Sequence, residues 1–204
     1  MKRARTIAGM VGVGVGVGVG VGVGLALLAA GCTARRGVDV TYHDPNMDFS
    51  LIRTVAVLPF DNLTSNNHAD EAVRDVFMTM LQATGSLYVL PPGEISRGVS
   101  RASLRAPTQP SSEEVVQLAG ILDADVVILG AVREYGELRS GGSAAGVVSL
   151  SVRMLEAESG RVVWSASASS GGVSAADRVF GGGGRPMDDV TRDVVDKLLD
   201  QLFR

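Results

Sequence analysis

Hydrophobic and polar positions follow different periods along this chain, and each change of period marks an element. Val55-Ala56-Val57-Leu58 is a short apolar run stopped by Pro59 and by Asp61-Asn62. Too short for a helix and rich in branched residues, it predicts a buried strand within Arg53–Phe60. From Ala69 the period lengthens: Ala69, Val73, Val76, Phe77, Met80 and Leu81 recur at steps of three and four, which predicts an amphipathic helix. Asn66 or Asn67 is placed to cap it, Asp70 and Glu71 suit the positive end of its dipole, and Gly85 ends it. Leu87–Leu90 reads as a second short strand before Pro91-Pro92. Glu94 to Ala106 shows no clear period and reads as one helical turn followed by a loop.

Ser111 and Glu114 have capping-box spacing, and Val115, Leu118, Ala119 and Leu122 continue as a helical stripe to Asp123-Ala124-Asp125. Val126–Val132 is the most apolar stretch beyond residue 32 and predicts the central strand, with Arg133–Leu138 expected to leave the core. Val148, Leu150, Val152 and Met154 then alternate with Ser149, Ser151 and Arg153. Across Glu158-Ser159-Gly160, Val162, Trp164, Ala166 and Ala168 alternate on the return, so this pair predicts a hairpin. A glycine-rich loop over 171–184 precedes a final helix starting near Pro186, with Val190, Val194, Leu198 and Leu202 inward. The element order predicts a single α/β domain: a mixed sheet of about five strands flanked by three main helices.

The chain's beginning follows a different logic. Lys2, Arg3 and Arg5 precede an uncharged run from Ile7 to Ala30, which ends in small residues before Cys32. A basic start, an apolar middle and a small-residue exit are the layout of an export signal. Ala29-Ala30-Gly31-Cys32 resembles the lipobox of bacterial lipoproteins, with Ala29 where leucine is commoner. That resemblance implies cleavage between Gly31 and Cys32 and lipid on the Cys32 thiol, a covalent group rather than a cofactor. Several acyl chains on one cysteine would hold the protein permanently, since one chain binds only weakly. Thr33 stands where enteric lipoproteins kept in the inner membrane carry aspartate, which implies the outer membrane. The boundaries expected are a signal peptide over 1–31, a lipidated tether over 32–52 and the α/β domain over 53–204. The Val-Gly alternation from Val11 to Gly24 lacks the third glycine of a dinucleotide-binding loop and reads as low-complexity leader.

Cleavage there would leave 173 of the 204 residues, enough for one domain with a real core. The leader holds three basic residues and no acid, so 16 basic residues would face 22 acidic ones in the remainder. That balance lacks the basic face needed to hold nucleic acid. Cys32 is the one cysteine, so the fold has no disulfide.

Three further stretches carry a family resemblance. Thr54–Asn62 is similar to the first strand and loop of the curli-secretion lipoprotein family. Asp123–Gly130 is similar to that family's helix exit and following strand, and Leu155–Ser165 to its hairpin ending in tryptophan. The amino-terminal domain of the Tol-Pal periplasmic β-propeller protein shares the fold. The resemblance implies a cell-envelope role of the kinds this fold serves, namely amyloid-subunit export, exopolysaccharide export rings and activation of peptidoglycan synthases. Arg139–Gly146 and Gly171–Arg185 are too short to supply the membrane-spanning strand pairs of the curli exporter.

Candidate chemistry is sparse. His43 and His68 are the only histidines, and neither has a third ligand at zinc spacing, so no metal is expected. No G-x-S-x-G occurs, and Gly181–Gly184 with Arg185 lacks the Lys-Ser/Thr of a phosphate loop. Asp61, Glu134, Glu137 and Glu156 fit turn and surface roles. Trp164 lies on a core-facing register. Tyr135 and Phe180 are the candidate partner contacts. The expectation is a periplasm-facing, outer-membrane lipoprotein that binds protein or polysaccharide partners, a homo-oligomeric ring among them. The alternatives are a lipoprotein activator of a peptidoglycan synthase and an envelope hydrolase.

Overall fold

The computed structural model describes residues 40–140, 143–172 and 185–204. The leader, Gly31 and Cys32, Gly141 and Gly142, and Phe180 with the glycine-rich stretch around it lie outside the described residues. In chain order the elements are β1 (Val40–His43), β2 (Thr54–Val57), β3 (Asp61–Asn62), α1 (Ala69–Ala83), β4 (Tyr88–Val89), α2 (Pro92–Arg101), α3 (Ser112–Leu122), β5 (Val126–Ser140), β6 (Ser143–Glu156), β7 (Val162–Gly171) and α4 (Met187–Leu202). A single 3-10 turn, Phe49–Leu51, lies between β1 and β2.

The strands form one mixed sheet in the order β1-β7-β6-β5-β2-β4, with β3 beside β5. β2 is parallel to β4 and β5, whereas β5, β6, β7 and β1 run antiparallel in turn. Alternation along the strands sends side chains to two separate cores. Val55, Val57, Val126, Ile128, Leu150, Val152, Met154 and Trp164 pack under α1 and α4. Ala56, Leu58, Val127, Leu129 and Leu155 pack under α2 and α3. The second pair of helices covers the β4-β2-β5 half of its face and, beyond it, only Leu155 and Val162 at the ends of β6 and β7. Ser151, Ser165 and Ser167 stay half-buried and Arg153 exposed on the other half. The domain is thus three layers thick at one end and two at the other.

The class expected from the sequence, a single mixed α/β domain, is the one observed, with more elements than the hydrophobic pattern showed. The capping box forms as spaced: Ser111 Oγ accepts from the Glu114 amide and the Glu114 carboxylate accepts from the Ser111 amide. The cap of α1 falls at His68, which makes no side-chain cap bond; Asn66 instead accepts from the His68 amide at 3.0 Å. Glu94–Arg101, read as one turn, belongs to the ten-residue helix α2. Val40–His43, inside the stretch expected to be tether, is strand β1, paired with β7 from Val40↔Ser167 to His43↔Trp164.

Arg133–Leu138 does not leave the sheet. The β5/β6 ladder shifts register between Val132 and Glu134 and continues to Ser140↔Ser143, so Arg139 and Ser140 extend β5 and Ser143–Gly146 belong to β6. The extra residue at the bulge turns the following side chains over, and Tyr135 therefore returns to the α1/α4 side.

Candidate interaction surface

In one cleft, three carboxylates are committed to holding the chain. A cleft of about 500 Å3 is bordered by Asp48, Asp125, Glu156 and Glu158. Asp125 accepts from the Arg53 and Thr54 amides, both at 2.8 Å, and so pins the start of β2. Asp48 accepts from the amide and hydroxyl of Ser50, and these bonds hold its carboxyl below the usual range. Glu156 accepts from Ser159 at 2.5 Å in the hairpin turn.

Bonds within the fold also occupy Asp61, Asp70 and Asp44. Asp61 accepts from Gln109 at 2.7 Å and Asp70 from Asn62 at 3.0 Å. Asp44, beside His43, is buried and salt-bridged to Arg161 at 2.7 Å, while its other oxygen accepts from the Asn46 amide. His43 meets Phe49 and Trp164 edge-on, at ring separations of 5.6 and 6.4 Å. His68 is exposed and lies 4.0 Å from Glu71. Among the described residues no three metal-ligating side chains converge, and no helix is long and apolar enough to cross a membrane.

What the fold does expose is a pair of complementary surfaces. The uncovered half of the sheet is a trough of about 420 Å3 lined by Arg133, Arg153, Ser151, Ser165, Ser167 and Val40, among others. Arg133 Nε donates to Ser151 Oγ at 2.9 Å, and Ser151 and Ser167 hydroxyls are 2.9 Å apart, so the trough floor is a cross-strand polar row. Tyr42 shares this face through its pairing with Ser165, as Val40 does with Ser167. Both project from the sheet edge, 47% and 62% exposed. On the opposite side of the sheet, α1 and α4 diverge around a cleft of about 460 Å3. Met80, Leu199 and Phe203 form its apolar part, and Asp196, Asp200 and Arg204 its polar part.

Of the residues singled out by sequence, Trp164 is fully buried in the main core. Tyr135 is half-buried and packed against the same core. Cys32, Gly31 and Phe180 lie outside the described residues. Sequence reasoning passed over Val40, Tyr42 and Phe203. Their signal was local: β-branched and aromatic residues alternating in Val40-Thr41-Tyr42, and an aromatic just past an amphipathic helix.

Residues 46–203 match the GNA1162-like family of lipoproteins. No sequence relative matches among the curated proteins. In the solved structures, lipoprotein GNA1162 from Neisseria meningitidis is similar at 18% identity over 74% of this chain and 98% of its own, with a TM-score of 0.55. PelC from Paraburkholderia phytofirmans, solved as a dodecamer, is similar at 19% identity over 80% of this chain and 95% of its own, with a TM-score of 0.52. At these identities the likeness is one of fold.

Proposed function

This chain belongs to the GNA1162-like family of lipoproteins, and from that premise we propose that it is a non-catalytic binding subunit of a cell-envelope export or assembly apparatus, anchored through lipid on Cys32 at the periplasmic face of the outer membrane. The observation that carries the reading is the family match joined to one cysteine placed after a basic start and an uncharged run that ends in small residues. Thr33, in place of aspartate, supports the outer membrane. The commitment of Asp44, Asp48, Asp125 and Glu156 to backbone and side-chain bonds supports binding rather than turnover. The dodecamer formed by PelC supports an assembly that contains several copies of this chain.

β1 bears on how the anchor works. Only residues 33–39 separate Cys32 from Val40. At no more than about 3.6 Å per residue, a lipid on Cys32 would keep β1 within roughly 25–30 Å of the bilayer surface. Partner contact would then happen close to the membrane. Replacing Cys32 by serine tests the reading. The native protein should carry acyl chains on an amino-terminal Cys32 by mass spectrometry and fractionate with outer membranes. The serine variant should lose both. An unmodified thiol behind an uncut leader would overturn the assignment.

A further inference from the structure

We propose that the trough and the α1/α4 cleft are two halves of one head-to-tail contact, in which the Tyr42 edge of one copy seats in the Met80–Leu199–Phe203 cleft of the next and Arg153 meets Asp196. The inference rests on the reading above of a multi-copy subunit and names the surfaces that join the copies. Three observations lead to it. The first is architectural: α1 and α4 cover one whole side of the sheet, while α2 and α3 reach only Leu155 and Val162, at the ends of β6 and β7, and leave the rest of those strands and β1 open. A helical layer from another copy would supply the missing third layer.

The second observation is charge. Both charged residues that line the trough are arginines, and among the described residues Arg153 has no carboxylate partner. The cleft is bordered by two carboxylates and one guanidinium; Arg204 lies 3.9 Å from Asp200, which leaves Asp196 without a basic partner among the described residues. Glu134 is also exposed on β5, but it lies past the bulge, opposite Ser149, and is not part of the trough lining. An uncompensated arginine on one surface and an uncompensated aspartate on the other are complementary, and that complementarity favours one relative orientation of two copies.

The third is shape. Tyr42, Ser165 and Arg153 are register partners across β1, β7 and β6. Tyr42 and Arg153 are therefore two strand spacings, about 10 Å, apart on one face. Tyr42 is a large projecting aromatic, the side-chain type that most often anchors an interface, and the cleft offers it an apolar floor with Phe203 45% exposed. The two surfaces differ and lie on opposite sides of the sheet. Their contact is therefore heterologous, and repeated copies close into a ring or extend as a filament.

A charge swap tests the contact on the full chain, extracted from membranes in detergent. Its mass is read by light scattering and by sedimentation over a concentration series. The native chain should run well above one protomer. R153E alone and D196R alone should each raise the self-association Kd at least about tenfold, as should Y42S. R153E and D196R in the same chain should recover the native mass, because every contact then carries the reversed pair. Single reversals that leave the mass unchanged would overturn the contact but leave the envelope-subunit reading intact. A double variant as dissociated as the singles, or a native chain that stays monomeric while R153E releases a different bound protein, would also overturn it. Loss of lipid on Cys32 is the separate outcome that sinks the parent reading.

Discussion

Gly130 lies flat against the ring of Phe60: a Cβ built on Gly130 would sit 2.5 Å from the phenyl Cδ1, closer than real carbon atoms approach. Phe60 is itself edge-on to Phe77 of α1, with ring centroids 5.7 Å apart, so the ring has little room to retreat. Gly130→Ala should therefore destabilise the domain by about 1–3 kcal/mol through overpacking, despite the gain in strand propensity. Chemical denaturation would measure it. Adding Phe60→Leu should recover part of the loss, whereas an additive pair would show that the two residues do not share the space.

Asp44 and Arg161 fasten β1 to the hairpin. The carboxylate is 5% exposed and the guanidinium 66%, with 2.7 Å between them. Removing Arg161 leaves a buried acid with only the Asn46 bonds, but the largely exposed guanidinium contributes a screened charge, so Arg161→Ala should cost about 1 kcal/mol and Asp44→Ala about 2. Amide exchange in Val40–His43 should quicken before that of β6, which hydrogen-exchange mass spectrometry resolves. Equal quickening everywhere would mean that the pair holds the whole domain rather than the strand.

Asp193 joins α4 to β7. Its carboxylate accepts a hydrogen bond from Ser170, and that bond, with Lys197 and Arg185 nearby, holds its pKa below the usual aspartate range. A depressed carboxylate stabilises the fold above its unfolded pKa, about 3.9, and the contribution fades as pH falls through the lower folded value. The side chain is 33% exposed, so screening keeps the effect below about 1 kcal/mol. Asp193→Asn should melt lower than the native chain at pH 7, and the gap should narrow steadily as the pH falls below about 3.9. A gap that does not change with pH would point to packing instead of charge.

The reciprocal bonds of Ser111 and Glu114 begin α3, the helix that closes the smaller core. Ser111→Ala should cost about 1 kcal/mol and Ser111→Asp very little, since aspartate caps as well as serine. Both are read from thermal melts.

Sequence was most informative where a face is strictly buried. The alternation of Val148, Leu150, Val152 and Met154 survives intact in β6, and the Ser111–Glu114 spacing became a capping box, because each signal is local. The pattern failed for physical reasons elsewhere. At β5 a bulge puts Val132 and Tyr135 on the same side, three positions apart, which hides the strand's continuation behind an apparent change of period. α2 is rich in glycine and serine and owes its place to packing: Gly98 lets the Leu122 side chain come within 2.5 Å of where a Cβ would be. In β1 all four side chains are exposed, so hydrophobic patterning carried no sign of it. The α1/α4 cleft draws Met80 and Phe203 from widely separated positions in the sequence, a juxtaposition that only the folded chain displays.

The docking of β1 on β7 also orders events in time. Asp44 and Arg161 are 117 positions apart, so the first strand of the domain cannot find its neighbour until most of the polypeptide is available to fold. In a chain that appears amino terminus first, the segment Val40–His43 comes early and waits with its backbone unpaired while α1, the central strands and the hairpin arrive behind it. Maturation of the edge is then coupled to completion of the chain, and a polypeptide arrested before Arg161 would present a bare strand.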